Sequence, residues 1–377
     1  ACIVNVKKNT MTTVRAKNQT DFYVIGVMSG TSLDGIDLCY VHFEFRGSWS
    51  FQIIDAQTVG YSKYWQERLE ASMTLSPIKL AQLNYDYTRF LSEVISTFIK
   101  KTPKAPLDAV CSHGHTVFHQ PNQGKTLQIG NLPDIATYLN QIVVCDFRTQ
   151  DVNFGGQGAP LVPIGDSLLF SDYDYCINLG GFANISFEQG KKRIAFDICP
   201  INIVLNHYVK DLGLPYDSEG QIASKGAICF LLLDDLNALD FYASLPPKSL
   251  GLEWVKEHIF PLIDSYDLEV GQILRTVVEH CAFQITNLLR ANNLTKGLYT
   301  GGGVYNSFLI QRISSLSLQD ITTADPIIIE FKEALIFGFL GVLRLKELPN
   351  CLRSVTGASH DHSSGWVYLP KINIKSI

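Results

Sequence analysis

The sequence predicts a duplicated α/β fold whose two halves face a common cleft. An apolar strand that ends in a glycine-bearing turn occurs twice, at Phe22–Ser29 before GTSLDG and at Tyr173–Leu179 before Gly180-Gly181. Two further strands and then helices follow each turn. A doubly wound sheet with one nucleotide-binding turn gives no reason for the second hairpin. The chain has 377 residues, of which 46% are hydrophobic, and this is enough material for two domains.

The first half is predicted to run over residues 21–150, with about 350–377 returning to it at the end of the chain. Residues 1–20 lack a contiguous apolar segment, so they are expected to be a disordered lead-in and not a signal peptide. Apolar periodicity predicts strands at Phe22–Ser29, Ile36–Arg46, Phe51–Thr58, Asp108–Ser112 and Ile142–Asp146, and helices at Tyr64–Leu75, Pro77–Lys100 and Pro133–Asn140.

The second half is predicted to run over residues 151–349 and to join the first around Gln150–Gly158. Its longest helix, Glu269–Leu294, places a stripe of apolar residues on one face, which is typical of an amphipathic helix. The other predicted strands are Tyr173–Leu179, Ala183–Phe187, Arg193–Asp197, Gly297–Thr300 and Pro326–Ile329, and the other helices are Ile201 to about Leu212, one from Ser307, and Lys332–Leu345.

Composition excludes several classes of function. The formal net charge is −5 and no basic block is present, so a nucleic-acid footprint is not expected. No apolar run approaches the length of a membrane span. The nine cysteines are scattered and form no CxxC pair, which favours reduced thiols over a disulfide framework or a zinc ribbon. We therefore expect a cytoplasmic protein without a membrane partner.

Three glycine-rich turns are candidate phosphate-binding elements. They are GVMSGTSLDGID from Gly26, NLGGFANIS from Asn178 and YTGGGVYN from Tyr299. Phosphate oxygens need closely spaced N–H and O–H donors without side-chain bulk, and such turns supply them. Ordinary turn chemistry explains the glycines of any single turn equally well. Neither GxxxxGK[ST] nor GxGxxG nor GxSxG occurs, so the P-loop, dinucleotide-binding and α/β-hydrolase sites are not supported.

Acidic residues at element ends are candidate general bases. Asp197 ends the strand RIAFD, where a carboxylate facing a cleft can take a proton, although a helix N-cap is an equal explanation from the sequence alone. Asp146 and Asp151 carry the same ambiguity. Glu333 falls in the first turn of a helix, where acids are stabilised in any case.

No metal site is predicted for the histidines. His113, His115 and His119 lie in HGHTVFH, but no acidic residue lies beside them in sequence, and zinc would need further ligands from distant positions. The pair His360 and His362 gives a weaker indication still.

Together these motifs resemble the anhydro-N-acetylmuramic acid kinase family, from Ile25 almost to the C-terminus. The matching stretches, in order, are GVMSGTSLDGID, SHGHTVFHQP, TLQIGN, DFRTQD with GGQGAPLVP, NLGGFANIS, FDICPIN, PKSLG, TGGGVYN, KEAL and SVTGA.

The resemblance implies an actin/hexokinase-like (ribonuclease H-like) fold of two domains that close on ATP in an interdomain cleft. It implies a Mg²⁺-dependent, homodimeric kinase that hydrolyses the 1,6-anhydro ring while it phosphorylates O6. Asp197 matches the catalytic base that activates water, and Glu333 matches a second catalytic acid. His119, Arg148 and Asn202 are assigned to sugar binding. Nucleotide contacts are implied for Ser29, Gly30, Thr31, Ser32, Gly180, Gly181, Asn184, Gly301, Gly302 and Gly303.

The chain departs from the family pattern in three places. DxGPGN reads Asp197-Ile-Cys-Pro-Ile-Asn202 and loses both glycines, HGQT reads HGHT with His115, and GGQGAPLVPAFH loses its final histidine and reads PIGDSLLF. Asp197 and Asn202 survive, so we expect an active enzyme with an adjusted sugar pocket.

Two alternatives remain open. A kinase for a related amino sugar would explain the three departures. An ATP-binding sensor or chaperone-like ATPase would share the same duplicated fold. The acid that holds Mg²⁺ is not identified, with Asp34 and Asp37 as candidates.

Overall fold

A computed structural model describes residues 19–30, 33–102, 106–317, 319 and 321–371. Thr31 and Ser32, which were assigned to phosphate binding, lie outside the described residues, as does most of the lead-in 1–20. Contacts divide the chain into two units, one comprising Ala1–Leu169 with Phe331–Ile377 and the other Phe170–Glu330.

The described residues up to Leu169 form six strands and five α-helices. The strands are β1 (Asp21–Ser29), β2 (Gly35–Phe45), β3 (Trp49–Gly60), β4 (Ala109–Gln120), β5 (Lys125–Ile129) and β6 (Val143–Cys145). The helices are α1 (Lys63–Glu70), α2 (Pro77–Lys101), α3 (Asp134–Leu139), α4 (Thr149–Asn153) and α5 (Val162–Leu169).

The second unit follows with five strands and eight helices among its described residues. The strands are β7 (Tyr175–Leu179), β8 (Phe182–Gln189), β9 (Lys192–Pro200), β10 (Gly297–Thr300) and β11 (Thr322–Thr323). The helices are α6 (Asn202–Val209), α7 (Gln221–Lys225), α8 (Phe230–Asn237), α9 (Asp240–Ala243), α10 (Leu252–Trp254), α11 (Phe260–Asp264), α12 (Val270–Ala291) and α13 (Ser307–Ser317).

The last elements are α14 (Pro326–Leu345), α15 (Arg353–Thr356) and β12 (Trp366–Tyr368).

The two sheets share one topology, which confirms the predicted duplicated α/β fold. The first sheet has the order β12-β6-β4-β1-β2-β3 with β5 on β4, and the second has the order β11-β10-β7-β8-β9. In both, the opening strand pairs antiparallel with the second strand and parallel with the fourth. The third strand is antiparallel to the second, and the fifth strand of this shared order, β6 in the first sheet and β11 in the second, is parallel to the fourth.

Amphipathic helices supply much of each core. The face of α2 that carries Leu83, Tyr87, Leu91 and Phe98 packs in the core of the first unit. The stripe predicted for the long helix of the second half is confirmed, because α12 buries its Ile273, Leu274, Val277, Val278, Cys281 and Ile285 side chains. Burial of such apolar faces provides most of the stabilisation of helices in proteins.

One predicted strand is wrong, because Pro326–Ile329 forms the first turn of α14. The Ile328 and Ile329 N–H groups donate to Asp325 O at 2.8 and 3.0 Å, which is helical hydrogen bonding. Proline suits a first helical turn because its missing N–H would lack a partner there anyway. A short apolar run does not by itself distinguish a buried strand from a buried helix segment.

The units are divided after Leu169 and after Glu330, whereas the predicted divisions were near residues 150 and 350. Helix α5 belongs with the first unit because Asp166 pairs with Lys332 of α14, with Oδ1 and Nζ 2.7 Å apart. Most of α14 lies against the first sheet, where a Cβ added at Gly26 would be only 1.8 Å from Ala334 O. Close contact of this kind explains why Gly26 has no side chain.

Among the described residues, no helix has both the length and the apolar character that crossing a membrane requires.

Candidate functional site

The end of β1 is held by a buried network of side chains. Ser29 is buried, and its Oγ lies 2.6 Å from the Tyr61 hydroxyl and 3.1 Å from His115 Nδ1. The Tyr61 hydroxyl also forms a hydrogen bond with the hydroxyl of buried Tyr87. The Ser29 hydroxyl is therefore engaged in the core of its unit, and half-buried Gly30 follows at the turn.

His115 explains one departure from the family pattern. It replaces the usual glutamine and is buried beside Ser29. Burial lowers the pKa of His115 to about 4. The imidazole is therefore neutral at pH 7 and, like an amide, serves as a neutral hydrogen-bonding partner for Ser29.

Arg148 is fixed by two hydrogen bonds beside His119. Its Nε donates to His113 Nε2 at 2.8 Å, and its Nη1 donates to Gly158 O at 2.6 Å. Burial and the Arg148 charge hold the pKa of His113 well below its usual range, so its ring stays neutral and accepts from the arginine. A Cβ added at Gly158 would be 3.1 Å from His119 Cε1. The structure therefore brings together the two sugar-binding candidates of this unit.

Glu333 lies in an electrostatic cluster in the same unit. Its side chain is exposed, yet crowding by surrounding protein raises the pKa of the carboxyl, as does the negative charge of Asp37, while Arg148 and Lys332 lower it. Asp37 Oδ1 accepts a hydrogen bond from Thr58 Oγ1 at 2.6 Å. Glu333 thus interacts electrostatically with one other carboxylate, that of Asp37, and with two cations, Arg148 and Lys332.

Asp166 stands where the family pattern has its final histidine. Asp166 and Lys332 are both buried, and their Oδ1 and Nζ atoms form an ion pair at 2.7 Å. Lys332 directly precedes Glu333 in α14. A buried carboxylate requires such a partner. The sequence reasoning missed this pair because its members lie on distant segments.

Asp197 lies within β9 of the second unit, and its carboxyl group is held by a hydrogen bond. Its Oδ2 accepts the Leu250 N–H at 2.8 Å, and its own N–H donates to Lys248 O at 3.2 Å. Burial raises the pKa of Asp197, while the hydrogen bond from Leu250 opposes this. A bulge in the pairing of β8 with β9 places Asp197 opposite Asn184. Two sequence-predicted residues therefore lie together here.

The second hairpin is joined to α6 through backbone atoms. The Asn202 N–H donates to Gly180 O at 3.3 Å, and the Ile201 and Ile203 N–H groups donate to Gly181 O at 2.8 and 3.3 Å. These bonds satisfy N–H groups that the first turn of a helix leaves without intrahelical partners. The structure thus brings Gly180, Gly181 and Asn202 together.

Cys199 and Ile201 replace the two glycines of the family pattern. Both side chains are buried in the hydrophobic core of the second unit. Ile201 has φ −122°, so its backbone does not need glycine. The replacements thus fill the core while Asp197 and Asn202 stay at either end of the segment.

The third glycine turn has two kinds of glycine. Gly301 has φ +84°, and a Cβ there would be 2.5 Å from Asn178 Oδ1, while a Cβ at Gly303 would be 2.7 Å from Leu179 O. Among the described residues, nothing lies within 4 Å of a Cβ added at Gly302. Close approach to the end of β7 therefore requires the outer two glycines, and the middle one faces open space.

Sequence reasoning missed His113 as the residue that orients Arg148. The signal was present, because His113 belongs to the matching stretch SHGHTVFHQP, but its partner lies 35 positions away. Within the first unit the structure offers an oriented guanidinium at Arg148, and within the second it offers a carboxylate at Asp197 that can accept a proton.

Comparisons with known proteins identify the family. A family model described as anhydro-N-acetylmuramic acid kinase matches residues 22–370. A protein of that name from Pasteurella multocida is 34% identical over 373 residues, which cover 93% of this chain and 97% of the relative. Another from Haemophilus influenzae is 31% identical over 381 residues, which cover 93% and 99%.

Similarity to solved structures is weaker. A ROK family glucokinase from Streptomyces griseus, in complex with glucose and AMPPNP, has a TM-score of 0.39 and 12% identity over 84% of this chain and 98% of its own. A TM-score this low carries no argument about function. Because the family model spans nearly the whole chain, the chain belongs to the anhydro-N-acetylmuramic acid kinase family.

Proposed function

We propose that this chain is an ATP-dependent kinase that converts 1,6-anhydro-N-acetylmuramic acid to N-acetylmuramic acid 6-phosphate. Family membership supports an ATP-dependent sugar kinase. Asp197 carries the mechanistic part of the proposal, because its Oδ2 is fixed by a backbone N–H and burial raises its pKa. A higher pKa makes a carboxylate a stronger base, and a fixed one needs little reorganisation to act.

The reaction joins ring opening to phosphoryl transfer. Asp197 accepts a proton from water as the water oxygen attacks the anomeric carbon and the bond from that carbon to O6 breaks. The freed O6 takes the terminal phosphoryl group of ATP, and ADP leaves. The overall change is anhydro-sugar plus water plus ATP to sugar 6-phosphate plus ADP and a proton. Phosphoryl transfer of this kind depends mainly on positioning and charge neutralisation.

The remaining site residues are proposed to bind and orient. Arg148, held by His113 and Gly158, and neighbouring His119 bind polar groups of the sugar, as does Asn202 at the start of α6. Glu333 supplies the second carboxylate of the catalytic site, besides that of Asp197. The nucleotide phosphates bind at the three glycine turns, including Thr31 and Ser32.

The carboxylates of Asp37 and Glu333 fit the Mg²⁺ ion that the family resemblance implies. Magnesium prefers oxygen ligands and is commonly held by one or two carboxylates together with substrate phosphates. The negative charge of Asp37 raises the pKa of Glu333, and Asp37 is already a candidate from the sequence, so we propose these two acids as its carboxylate ligands. The ion would neutralise phosphate charge during transfer.

We further propose a cytoplasmic homodimer, as the family resemblance implies. A kinase for a related amino sugar remains the second candidate. The positions of the three departures give it little support, because His115, Cys199, Ile201 and Asp166 are all buried in their own units.

ADP release with ATP, Mg²⁺ and 1,6-anhydro-N-acetylmuramic acid tests the proposal. We expect sugar-dependent turnover that Asp197→Asn lowers by a factor of about 10² or more, as for loss of a general base. Asp211→Asn, a change at an exposed aspartate after α6, is the control and should retain turnover. Binding of a non-hydrolysable ATP analogue to both variants would show that they are folded.

The sugar panel separates the alternatives. The panel also contains N-acetylmuramic acid and N-acetylglucosamine. Turnover with one of these but not with the anhydro-sugar would contradict the substrate and leave the kinase activity intact. Binding of the analogue with no sugar-dependent turnover on any member would favour the sensor or chaperone-like ATPase.

A further inference from the structure

Three buried side chains with metal-ligating atoms, none of them assigned above to sugar or nucleotide, meet in the first unit. They are Asp151 of α4, Cys351 and His362, which are 0%, 2% and 6% exposed. One carboxylate oxygen, the thiol sulfur and one imidazole nitrogen all lie within 4.8 Å of one another. Asp151 is far in sequence from the other two, which lie on one short segment.

The backbone holds two of the three groups in place. Cys351 and His362 form an isolated antiparallel bridge in which each N–H donates to the other's carbonyl at 3.1 Å. Residues paired in this way project their side chains to the same face. The pairing places the thiol and the imidazole side by side without help from a ligand.

The Asp151 carboxylate is held by two hydrogen bonds. Its Oδ2 accepts the Gly158 N–H at 2.7 Å, and its Oδ1 accepts the Thr356 hydroxyl at 2.8 Å. A carboxylate oxygen has two lone pairs, so Oδ1 retains capacity for a further partner. His362 Nε2 lies 3.4 Å from this oxygen.

The tautomer of His362 directs the Nε2 lone pair toward a carboxylate oxygen. Its Nδ1 lies 3.0 Å from the carbonyl oxygen of His360, which only accepts, so Nδ1 carries the hydrogen. In the neutral ring Nε2 then has a lone pair close to a carboxylate oxygen. This buried nitrogen has no hydrogen-bond partner among the described residues. Two lone pairs at this distance are compatible only when a proton or a metal ion lies between them.

The ligand set favours a transition metal. Thiolate and imidazole suit Zn²⁺ and related ions, whereas Mg²⁺ prefers oxygen. For tetrahedral Zn²⁺ with bonds of about 2.1 Å, the nitrogen and oxygen ligands are about 3.4 Å apart, and sulfur lies slightly farther from each. The distance from Nε2 to Oδ1 already meets this requirement.

We propose that Asp151, Cys351 and His362 bind one Zn²⁺-type transition-metal ion. The ion would fasten the segment from Cys351 to His362 onto α4. The Thr356 hydroxyl is a further oxygen at the cluster, and it or a water molecule completes the coordination.

The proposed ion supports the sugar side of the unit indirectly. Asp151 holds Gly158 by its N–H, and Arg148 holds the same residue by its carbonyl oxygen. A metal ion that fixes Asp151 therefore also restrains the loop against which Arg148 is placed. Its role is structural, and it is distinct from the Mg²⁺ proposed for phosphoryl transfer.

Cobalt titration of the untagged full chain, stripped with a chelator, tests the site. We expect one equivalent of Co²⁺ to bind with a near-ultraviolet thiolate-to-cobalt band and strong visible bands of tetrahedral Co²⁺, and Zn²⁺ to displace it. Cys351→Ser should lose the thiolate band, and His362→Gln should lower the affinity by a factor of 10 or more, about the change seen on loss of a group that supports a metal site.

Two controls and a wild-type measurement keep the test decisive. Cys39→Ser, at another buried cysteine of the same unit, and His360→Gln, next to the cluster, should keep the wild-type spectrum. If a variant fails to fold, the wild-type protein still decides, because one equivalent of Zn²⁺ should raise its Tm even when excess Mg²⁺ is already present. Absence of stoichiometric Co²⁺ binding to the wild type, or a thiolate band that persists in Cys351→Ser, would overturn the proposal.

Discussion

The two units share one strand order but hold their glycine turns by different means. In the first unit, the turn after β1 rests on buried side chains, with Ser29 bonded to Tyr61 and His115. In the second, the turn after β7 is bonded to α6 through the carbonyls of Gly180 and Gly181. The same topology can therefore present equivalent turns through a side-chain network in one half and through backbone contacts in the other.

This difference determines which substitutions each half tolerates. A buried side-chain network fails when one partner is removed, because the others lose hydrogen bonds that water cannot replace. A backbone arrangement is insensitive to most side-chain changes but does not accept a Cβ where two segments touch. The following predictions test this contrast, from the largest expected effect to the smallest.

Lys332→Met should give the largest loss of stability. It leaves the buried Asp166 carboxylate without its ion-pair partner, and breaking a buried pair in this way costs about 3–5 kcal/mol. Urea denaturation measures the free energy of unfolding. The double variant Asp166→Asn with Lys332→Met should recover much of the loss, since no uncompensated charge remains. A loss below about 1 kcal/mol for the single variant would contradict the importance of the pair.

Gly301→Ala and Gly302→Ala form a matched pair in the second unit. Alanine at Gly301 combines a φ of +84° with a Cβ 2.5 Å from Asn178 Oδ1, so we expect about 2–4 kcal/mol of destabilisation. Gly302→Ala should change stability by less than about 0.5 kcal/mol. It should instead weaken binding of an ATP analogue, measured by calorimetry. Equal effects of both variants on stability would show that this distinction is wrong.

Ser29→Ala separates the structural use of the hydroxyl from phosphate binding. Removing it leaves His115 Nδ1 and the Tyr61 hydroxyl short of a buried partner, at a cost of about 1–3 kcal/mol. Affinity for the ATP analogue should change little at a temperature where the variant is folded. Unchanged stability with strongly weakened nucleotide binding would instead assign the hydroxyl to the phosphates.

Leu250→Pro should move a pH profile rather than unfold the protein. Proline removes the N–H that stabilises ionised Asp197, so the pKa of Asp197 should rise further. The carboxylate then becomes protonated at higher pH, and the acidic limb of kcat/KM shifts upward by about one pH unit, the size expected for a hydrogen bond to a charged group. Leu250→Ala keeps the N–H and should leave the limb in place. An identical limb in both variants would exclude this role for the bond.

The duplicated fold was predictable because its signals are local. Apolar strands that end at Ser29 and at Leu179, each before glycine, are visible in the sequence, and so is the apolar stripe of α12. The first turn of α14 was misassigned because the run after Pro326 is apolar on every side and fits either a strand or a helix.

Side-chain partnerships across long separations could not be predicted. Ser29 and His115 are 86 positions apart, and Asp151 and Thr356 are 205 apart. The acidic neighbour of His362 in sequence, Asp361, is not one of the clustered ligands, and the fold supplies Asp151 and Cys351 instead. The residue types of the site were therefore visible from the sequence, whereas the pairings that position them depend on tertiary structure.

Product mass after incubation with ATP, Mg²⁺ and 1,6-anhydro-N-acetylmuramic acid tests the central claim most directly. Ring opening coupled to phosphorylation of O6 predicts a product heavier than the sugar by one water and one phosphoryl group, formed in step with ADP and far more slowly by Asp197→Asn. A product that gains the phosphoryl group alone would mean transfer to another hydroxyl with the ring intact. That result would contradict the assignment of Asp197 as the base that activates water.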